Sequence, residues 1–520
     1  MARACYAAVT VAILNAAAQA AGLCDVSTYG ARTDGSARST HAIRDAIQAC
    51  AKAGGGTVYF PPGTYETGAI ELASNIVLNI DAGATLRFHT DLSEYPIVAG
   101  RMEGTEALTP APLIGGRNLE NVTITGRGTL TTDNAAWLRA TNNAEARAMW
   151  TSIQTRLENK QRVPEEDFRK AAPGLRPSFI RPMDSKNILI EGIHIVGSSM
   201  WAIHLLYCEN VVVRNVIVET YPGANPDGID IDSSREVRVS DSYFDTGDDA
   251  IVLKSGRGAD GRRVGRPTEN VTIANCTFRR AHGAVVIGSE TSGGVRNVTA
   301  GNIVSQGTEI GIRIKSGRSR GGVVENLRFD NWIVDHPLKD GILVTNYYVR
   351  IPEEPVSERT PVFRNISINN VTVNGAPVVA EIQGLPEMPI AGLRLNDLTG
   401  SGKRGVQAFN TNGLELHNVR VDAEQGPPFL IRDSSDLELD RVEASRAHEG
   451  VPMIRLDRVK EARIHSSRAP QGVAAFLSTA PGTLKSVVLD SNALFGVKET
   501  EESSADFWKD IDSPDRVSRR

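Results

Sequence analysis

The chain has 520 residues with 57 basic and 62 acidic side chains, a formal charge of −5, and 41% hydrophobic residues. This balance excludes a global pull on nucleic acid or anionic lipid, so an acidic ligand has to be met by a local basic patch. The length allows a sizeable core, and because each coil of a solenoid touches only its neighbours it does not force several domains.

The first residues, Met1-Ala-Arg3 and an apolar run from Ala7 to Ala18, are followed by the small-residue site Ala18-Gln19-Ala20. Residues 1–20 read as a signal peptide, which predicts a secreted or periplasmic protein. The run is interrupted by Asn15 and too short to span a bilayer, and nothing later is apolar enough. Ala21-Gly22-Leu23-Cys24 is a poor lipoprotein signal, because a large Leu precedes the cysteine. Cys5 leaves with the signal, and Cys24 with Cys50, flanking the first structural unit, is the disulfide candidate. Cys208 and Cys276 read as small buried hydrophobes. Without a CxxC or Cys/His cluster, no metal and no cofactor is expected.

Residues 24–31 predict a short strand and turn leading to one helix. Ser39 or Thr40 caps it, Ile43, Ala46 and Ile47 form its apolar stripe, and Gly54-Gly55-Gly56 ends it. After that the helical period disappears. Thr57-Val58-Tyr59-Phe60 stops at Pro61-Pro62-Gly63, and Asn75 to Ile80 stops at Asp81-Ala82-Gly83, so short strands alternate with turns.

From Asn118 a unit recurs: a polar residue, then Val-x-Ile or Val-x-Val, then Asn or Asp, a second short strand, and Gly. It appears at Asn121-Val-Thr-Ile124, Asn187-Ile-Leu-Ile190, Asn210-Val-Val-Val213, Glu236-Val-Arg-Val239, Asn270-Val-Thr-Ile273, Asn297-Val-Thr299, Asn326-Leu-Arg-Phe329 and Asn365-Ile-Ser-Ile368. From Asn187 the starts are separated by 23, 26, 34, 27, 29 and 39 residues, the irregular period of a coil with one variable loop. Weaker copies follow to Val487-Val-Leu489.

Period-two alternation on a coil-length repeat predicts a right-handed parallel β-helix, all-β apart from the short N-terminal helix, as one domain over 21–500. Stacked turn asparagines explain the Asn-x-Ser/Thr triplets better than glycosylation. Residues of about 135–170, with Trp137, Trp150 and many Arg, Glu and Ala, break the pattern and predict a helical or irregular excursion. Residues 501–520 read as a polar tail that is either capping or loose.

The chemistry concentrates at Asn225-Pro226-Asp227-Gly228 and Thr246-Gly247-Asp248-Asp249, carboxylates at the edges of Ile/Val-rich strands. Asp227 and Asp248 lie 21 residues apart, close to one coil, which puts them on adjacent rungs. Adjacent Asp248 and Asp249 cannot share one face of a regular strand, so Thr246-Gly247 predicts a turn or bulge. His282 follows Asp249 by 33 residues and Arg313 follows His282 by 31, and Arg313 and Lys315, two apart, share a face. Crowded carboxylates raise one pKa and make a general acid, while ionised ones activate water. Arg and Lys suit a sugar carboxylate, so hydrolysis of an acidic glycan is the reading. The bland alternative, a cluster of turn caps, leaves the His and Arg-x-Lys at coil spacing unexplained.

The ordered set Asn225-Pro226-Asp227, Gly247-Asp248-Asp249, Ala281-His282-Gly283 and Arg313-Ile314-Lys315 resembles the signature blocks of the polygalacturonases, glycoside hydrolase family 28. The resemblance runs from Asp25 to about Tyr348. It implies metal-free, inverting hydrolysis of α-1,4-galacturonosyl bonds, with Asp248 as proton donor and Asp227 and Asp249 activating water. It further implies support from His282 and binding of the galacturonate carboxylate by Arg313 and Lys315. Asn225 reads as a further substrate contact, and Tyr347 or Tyr348, of which Tyr347 is preferred, as either a sugar-stacking ring or a strand aromatic on the sheet face. Inversion predicts roughly 6.5–9.5 Å between acid and base. Pro226 and Ala281 depart from the family's usual Thr and Gly and put the local cleft shape in question.

Val286 to Val295 resembles bacterial, exo-type members, and the excursion over 135–170 would wall one end of the groove. Lys254 reads as a surface or cleft-edge lysine, Asp230 and Asp232 as solvated or structural, and His204 as structural. The expected partner is a pectin-type acidic polysaccharide, acted on by a monomer that binds no nucleic acid. The alternatives are a rhamnogalacturonan or xylogalacturonan hydrolase, a pectate-lyase-like β-eliminase with a Ca²⁺ site, and a non-enzymatic glycan-binding helix.

Overall fold

Asn187 donates its side-chain amide to Asn121 (3.0 Å), Asn210 to Asn187 (2.8 Å), Asn297 to Asn270 (3.0 Å), Asn326 to Asn297 (3.1 Å) and Asn365 to Asn326 (2.7 Å). Each of these residues has a positive φ of 53–57°, a conformation Asn tolerates through its short polar side chain. Glu236 takes an Asn position in this ladder and accepts from Asn270 at 2.8 Å. The repeat separations read from the sequence are therefore the separations of hydrogen-bonded turns on successive coils.

The computed structural model describes residues 22–349 and 351–508. The expected signal peptide lies outside the described residues. Between Ile180 and Phe278 each coil carries three strands, and every strand pairs in parallel with its equivalent one coil on. Ile180–Met183 pairs with Ile203–Leu206, Lys186–Glu191 with Glu209–Arg214, and His194–Val196 with Ile217–Glu219. The result is a parallel β-helix. One core column runs Ile188, Val211, Val237, Val271, Val298, Leu327, Ile366, Leu393 and Leu414, all buried and paired in register.

Helix α1 (Thr40–Lys52) covers the N-terminal end, burying Ile43, Ala46, Ile47 and Cys50. Ser39 stands at its N-cap but makes no side-chain cap bond; its hydroxyl accepts from the Arg32 N–H instead. Cys24 and Cys50 form a disulfide, while Cys208 and Cys276 are buried and free. Thr500–Glu502 adds a further strand to Leu477–Thr479, and Trp508 packs edge-on to Phe409 and donates to Asp457 at 2.9 Å. The coil architecture thus continues beyond residue 500, and residues 501–508 of the stretch read as a tail pack against the last coils.

The excursion is helical: α2 (Asn134–Ala140), α3 (Ala144–Glu158) and α4 (Glu165–Ala171). It enters between rungs without disturbing their register, since Ile114 pairs with Ile180, 66 positions on, just as Ile180 pairs with Ile203. Beside it lies the antiparallel hairpin Ile97–Met102 and Thr105–Pro110. No helix among the described residues is long and apolar enough to cross a membrane.

Candidate active site

One sheet makes the floor of the site. Its strands Ile203–Leu206, Ile229–Asp232, Ile251–Lys254, Val285–Ile287 and Ile310–Lys315 stack in register, with His204 beside Asp230, Asp232 beside Lys254, and Val286 beside Arg313. Ile229, Ile231, Ile251, Leu253, Ile312 and Ile314 fill the core, so the alternate positions Asp230, Asp232, Lys254, Arg313 and Lys315 face outward together.

The turns leading into these strands supply the acids. Gly228 N–H donates to the Asp249 carbonyl and His282 N–H to the Asp248 carbonyl, so Asp227 stacks on Asp249 and Asp248 on His282. Asp227 is therefore on the rung next to the pair, as expected, but in line with Asp249 rather than Asp248. The bend that frees both neighbours is held by Asp249 N–H on Asp248 Oδ1 (2.8 Å) and Thr246 Oγ1 on the Asp248 carbonyl (2.8 Å). Gly247 permits it: a Cβ there would meet Pro226 Cγ at 2.8 Å and Gly223 backbone at 3.0 Å.

Oxygens of Asp227, Asp248 and Asp249 converge within 4.8 Å of one another. This is below the separation expected for inverting enzymes, because Asp227 and Asp249 share one ladder column and Asp248 follows on the same bend. Such a trio has the donor set of a cation site, but two ammonium groups already bond to it: Lys254 Nζ lies 3.1 Å from Asp227 and Lys315 Nζ 2.7 Å from Asp249.

Asp248 is the accessible acid, with 24% of its side chain exposed against 2% for Asp227 and 3% for Asp249. His282 Nδ1 lies 3.0 Å from Asp248 Oδ1. Burial pushes the Asp248 carboxyl upward, but the hydrogen bond and charge of His282 with Lys315 and Lys254 outweigh it and hold the group well below the usual range. The same hydrogen bond raises His282, against the effect of its burial. Asp227 moves oppositely: burial pushes it well above the carboxylate range despite Lys254.

Lys254 is not a surface residue. It is 5% exposed, lies 2.9 Å from Asp230 and sits 3.8 Å above the centre of the Trp201 ring. Burial opposes its charge, yet Asp227 and Asp230 hold its pKa well above normal, and burial pushes Asp230 up to about 7 against that lysine. Asp230 and Asp232 are both fully buried rather than solvated. Asp232 pairs with Arg101 of the hairpin at 2.6 Å and faces His204 Nε2 at 3.2 Å. His204 is structural: it is enclosed, and burial lowers it to about 4.

Arg313 and Lys315 face the cleft as expected, but both are engaged by Asp249, at 3.3 and 2.7 Å, rather than standing free for a ligand; Arg313 Nε alone is buried without a partner. Asn225 stands at the cleft edge and donates to Glu103 at 3.4 Å. Tyr347 is directed away, against Phe409 and Arg318. The aromatic at the site is Tyr348, 43% exposed, with Lys315 Nζ 5.0 Å from its ring centre. Two adjacent tyrosines cannot share a face of an extended segment, and the sequence offers no sign of which one turns inward. Glu290, 3.8 Å from Lys254, is a further member not anticipated.

The model of glycosyl hydrolases family 28 matches residues 50–404. The chain belongs to this family. Among family 28 relatives, an exo-poly-alpha-D-galacturonosidase of Dickeya chrysanthemi is 29% identical over 434 residues, spanning 76% of this chain and 71% of that one. An endo-polygalacturonase of Pectobacterium carotovorum is 26% identical over 357 residues, covering 66% of this chain and 80% of the relative. The solved structure of a hyperthermoactive exopolygalacturonase from Thermotoga maritima superposes with a TM-score of 0.69 at 33% identity, covering 77% of this chain and 91% of that one. The parallel β-helix with its acidic cleft is thus the scaffold of a family 28 glycoside hydrolase.

Proposed function

We propose that this family 28 enzyme is exported and hydrolyses α-1,4-galacturonosyl bonds of galacturonan from a chain end, with inversion. The observation that carries the reading is the convergence of Asp227, Asp248 and Asp249 beside Lys315 and Arg313 in a cleft that is bridged at one end. Asn134 of α2 bonds to Ser198 and Ala224 on the wall of acid-bearing turns, while Glu158 of α3 accepts from Ala259 and Arg359 on the opposite wall. A barrier across the groove favours a terminal sugar over an internal one. The apolar, charged start of the sequence and the Cys24–Cys50 disulfide support export.

In this reading Asp248 and His282 share one proton. Solvent favours the ion pair; a bound sugar that excludes water favours the neutral pair, with the proton on Asp248 facing the leaving oxygen. Asp249, anchored by Lys315 and Arg313, and Asp227, anchored by Lys254, hold the attacking water on the inner side. The carboxylates at adjacent columns are closer than the usual inverting interval, so stereochemistry is a direct check: proton NMR of early products should show β-galacturonate first.

Product profiling on polygalacturonate tests the whole reading. Monomer alone from the first time point is expected; a ladder of oligomers overturns end-wise action, and no reducing-sugar release overturns the hydrolase assignment.

A further inference from the structure

Beyond the acids, a cavity of about 430 Å³ lies between the last turns of α3 and the loops that follow the floor strands, with Arg257 and Arg320 on its loop side. Its size falls within the range of small-ligand sites. It adjoins the catalytic cluster by two routes. Arg257 reaches Glu103 (3.9 Å), which accepts from Asn225 (3.4 Å), two residues before Asp227. Arg320 faces Glu290, which lies 3.8 Å from Lys254, the partner of Asp227.

The two carboxylates of the lining are already engaged. Arg320 is 7% exposed, and among the described residues its guanidinium forms no ion pair and no hydrogen bond; its Nε is buried without a partner. Across the cavity, Gln154 Nε2 on α3 is also buried and unpartnered. A buried cation whose donors are unmet costs stability, so a protein retains one where a ligand supplies the missing acceptors. Of the cavity's two acids, Glu158 has its oxygens taken by Arg359 and Ala259 N–H, and Asp260 by Arg263 and Glu106 N–H. Burial pulls Arg320 below the usual range for arginine, opposed by Glu290.

We propose that this cavity is a second carboxylate subsite, in which Arg257 and Arg320, with Gln154, hold the uronate group of a galacturonate unit other than the one beside the catalytic acids. The inference rests on the galacturonan reading above. It makes α3 more than a barrier: the helix that stops the chain also helps bind the unit that stops there. A guanidinium suits the task because its planar fork matches a carboxylate.

The test compares wild type, Arg320→Gln and Arg257→Gln on trigalacturonate. KM is expected to rise roughly 10- to 100-fold in each variant, the size of a lost charge-assisted contact, with kcat within about threefold. Calorimetric titration in an Asp248→Asn background should show that wild-type residues at 257 and 320 favour trigalacturonate over its methyl ester, and that this preference shrinks in either variant. The Tm of Arg320→Gln should be unchanged or higher, because an unpaired buried charge is removed. Unchanged KM in both variants, an equal loss for acid and ester, or a drop in Tm with no change in affinity each overturns the subsite. Absence of any release by wild type would instead overturn the hydrolase reading, so the two failures are distinguishable. Arg257, 35% exposed in its side chain, carries the test without disturbing a buried charge.

Discussion

A lysine enclosed with two buried carboxylates is stable only while the group stays intact, since removing one partner leaves charge uncompensated away from water. Lys254→Met is expected to cost about 3–5 kcal/mol of stability in urea unfolding. It should abolish turnover even where the variant folds, because Asp227 loses the cation that favours its ionised form. Asp248→Asn should lower kcat about 10²–10⁴-fold, the range for a lost general acid, while trigalacturonate binding survives in calorimetry. His282 gives a signed pH prediction. Its pKa is raised by Asp248, so the shared proton is present at low pH and is lost as pH rises through that raised value. The alkaline limb of kcat should follow it, and His282→Asn should lower kcat and displace or remove that limb; an unchanged profile would remove His282 from the proton relay.

At the scale of the element, the turn ladders carry register. Asn297 donates to Asn270 and accepts from Asn326 at a φ of 56°. Asn297→Ala loses both bonds and the short polar side chain that lets a residue with a Cβ tolerate the left-handed region, an expected cost of about 2–4 kcal/mol, whereas Asn297→Gly should cost less because it relieves the backbone term. Urea midpoints distinguish the two, with activity unaffected in both. These ladders also explain what was readable beforehand. Asn starts and Val-x-Ile pairs repeat because each coil meets the same two constraints, so fold, coil length and the acid-bearing turns could be read from spacing. What period two does not reveal is which outward face is covered. Asp230, Asp232 and Lys254 obey the outward parity, but the hairpin and the Trp201 ring roof them over, turning positions that look solvated into a buried ion cluster. The signal was there in part, since Lys254 shares a face with Arg313 and Lys315. The choice of Tyr348 over Tyr347 depends on a local twist with no sequence mark.

At the scale of the molecule, stability responds to pH from two sides. Asp340 is pushed up by burial to about 8, with Glu381 adding to the effect. Its folded pKa exceeds the unfolded value near 3.8, so the native state holds a proton that the unfolded state releases, and stability falls as pH rises from about 4 to about 8. Asp340→Asn removes that slope, so its Tm advantage over wild type should grow between pH 5 and pH 8; a constant difference would show that Asp340 is ionised when folded. Below pH 4 the sign reverses. Burial opposes ionised Asp232, but Arg101 and His204 prevail and hold it at about 2, so its contribution is present above pH 4 and is lost as pH falls toward 2.

The helices α2–α4 enter between two rungs whose pairing is unbroken, Ile114 to Ile180 and on to Ile203. Separating the length of a loop from the alignment of the strands makes the solenoid a rack with exchangeable end-stops. A chain of this kind changes where it grips a polymer by lengthening or trimming one loop, while the residues that break the bond stay at their posts.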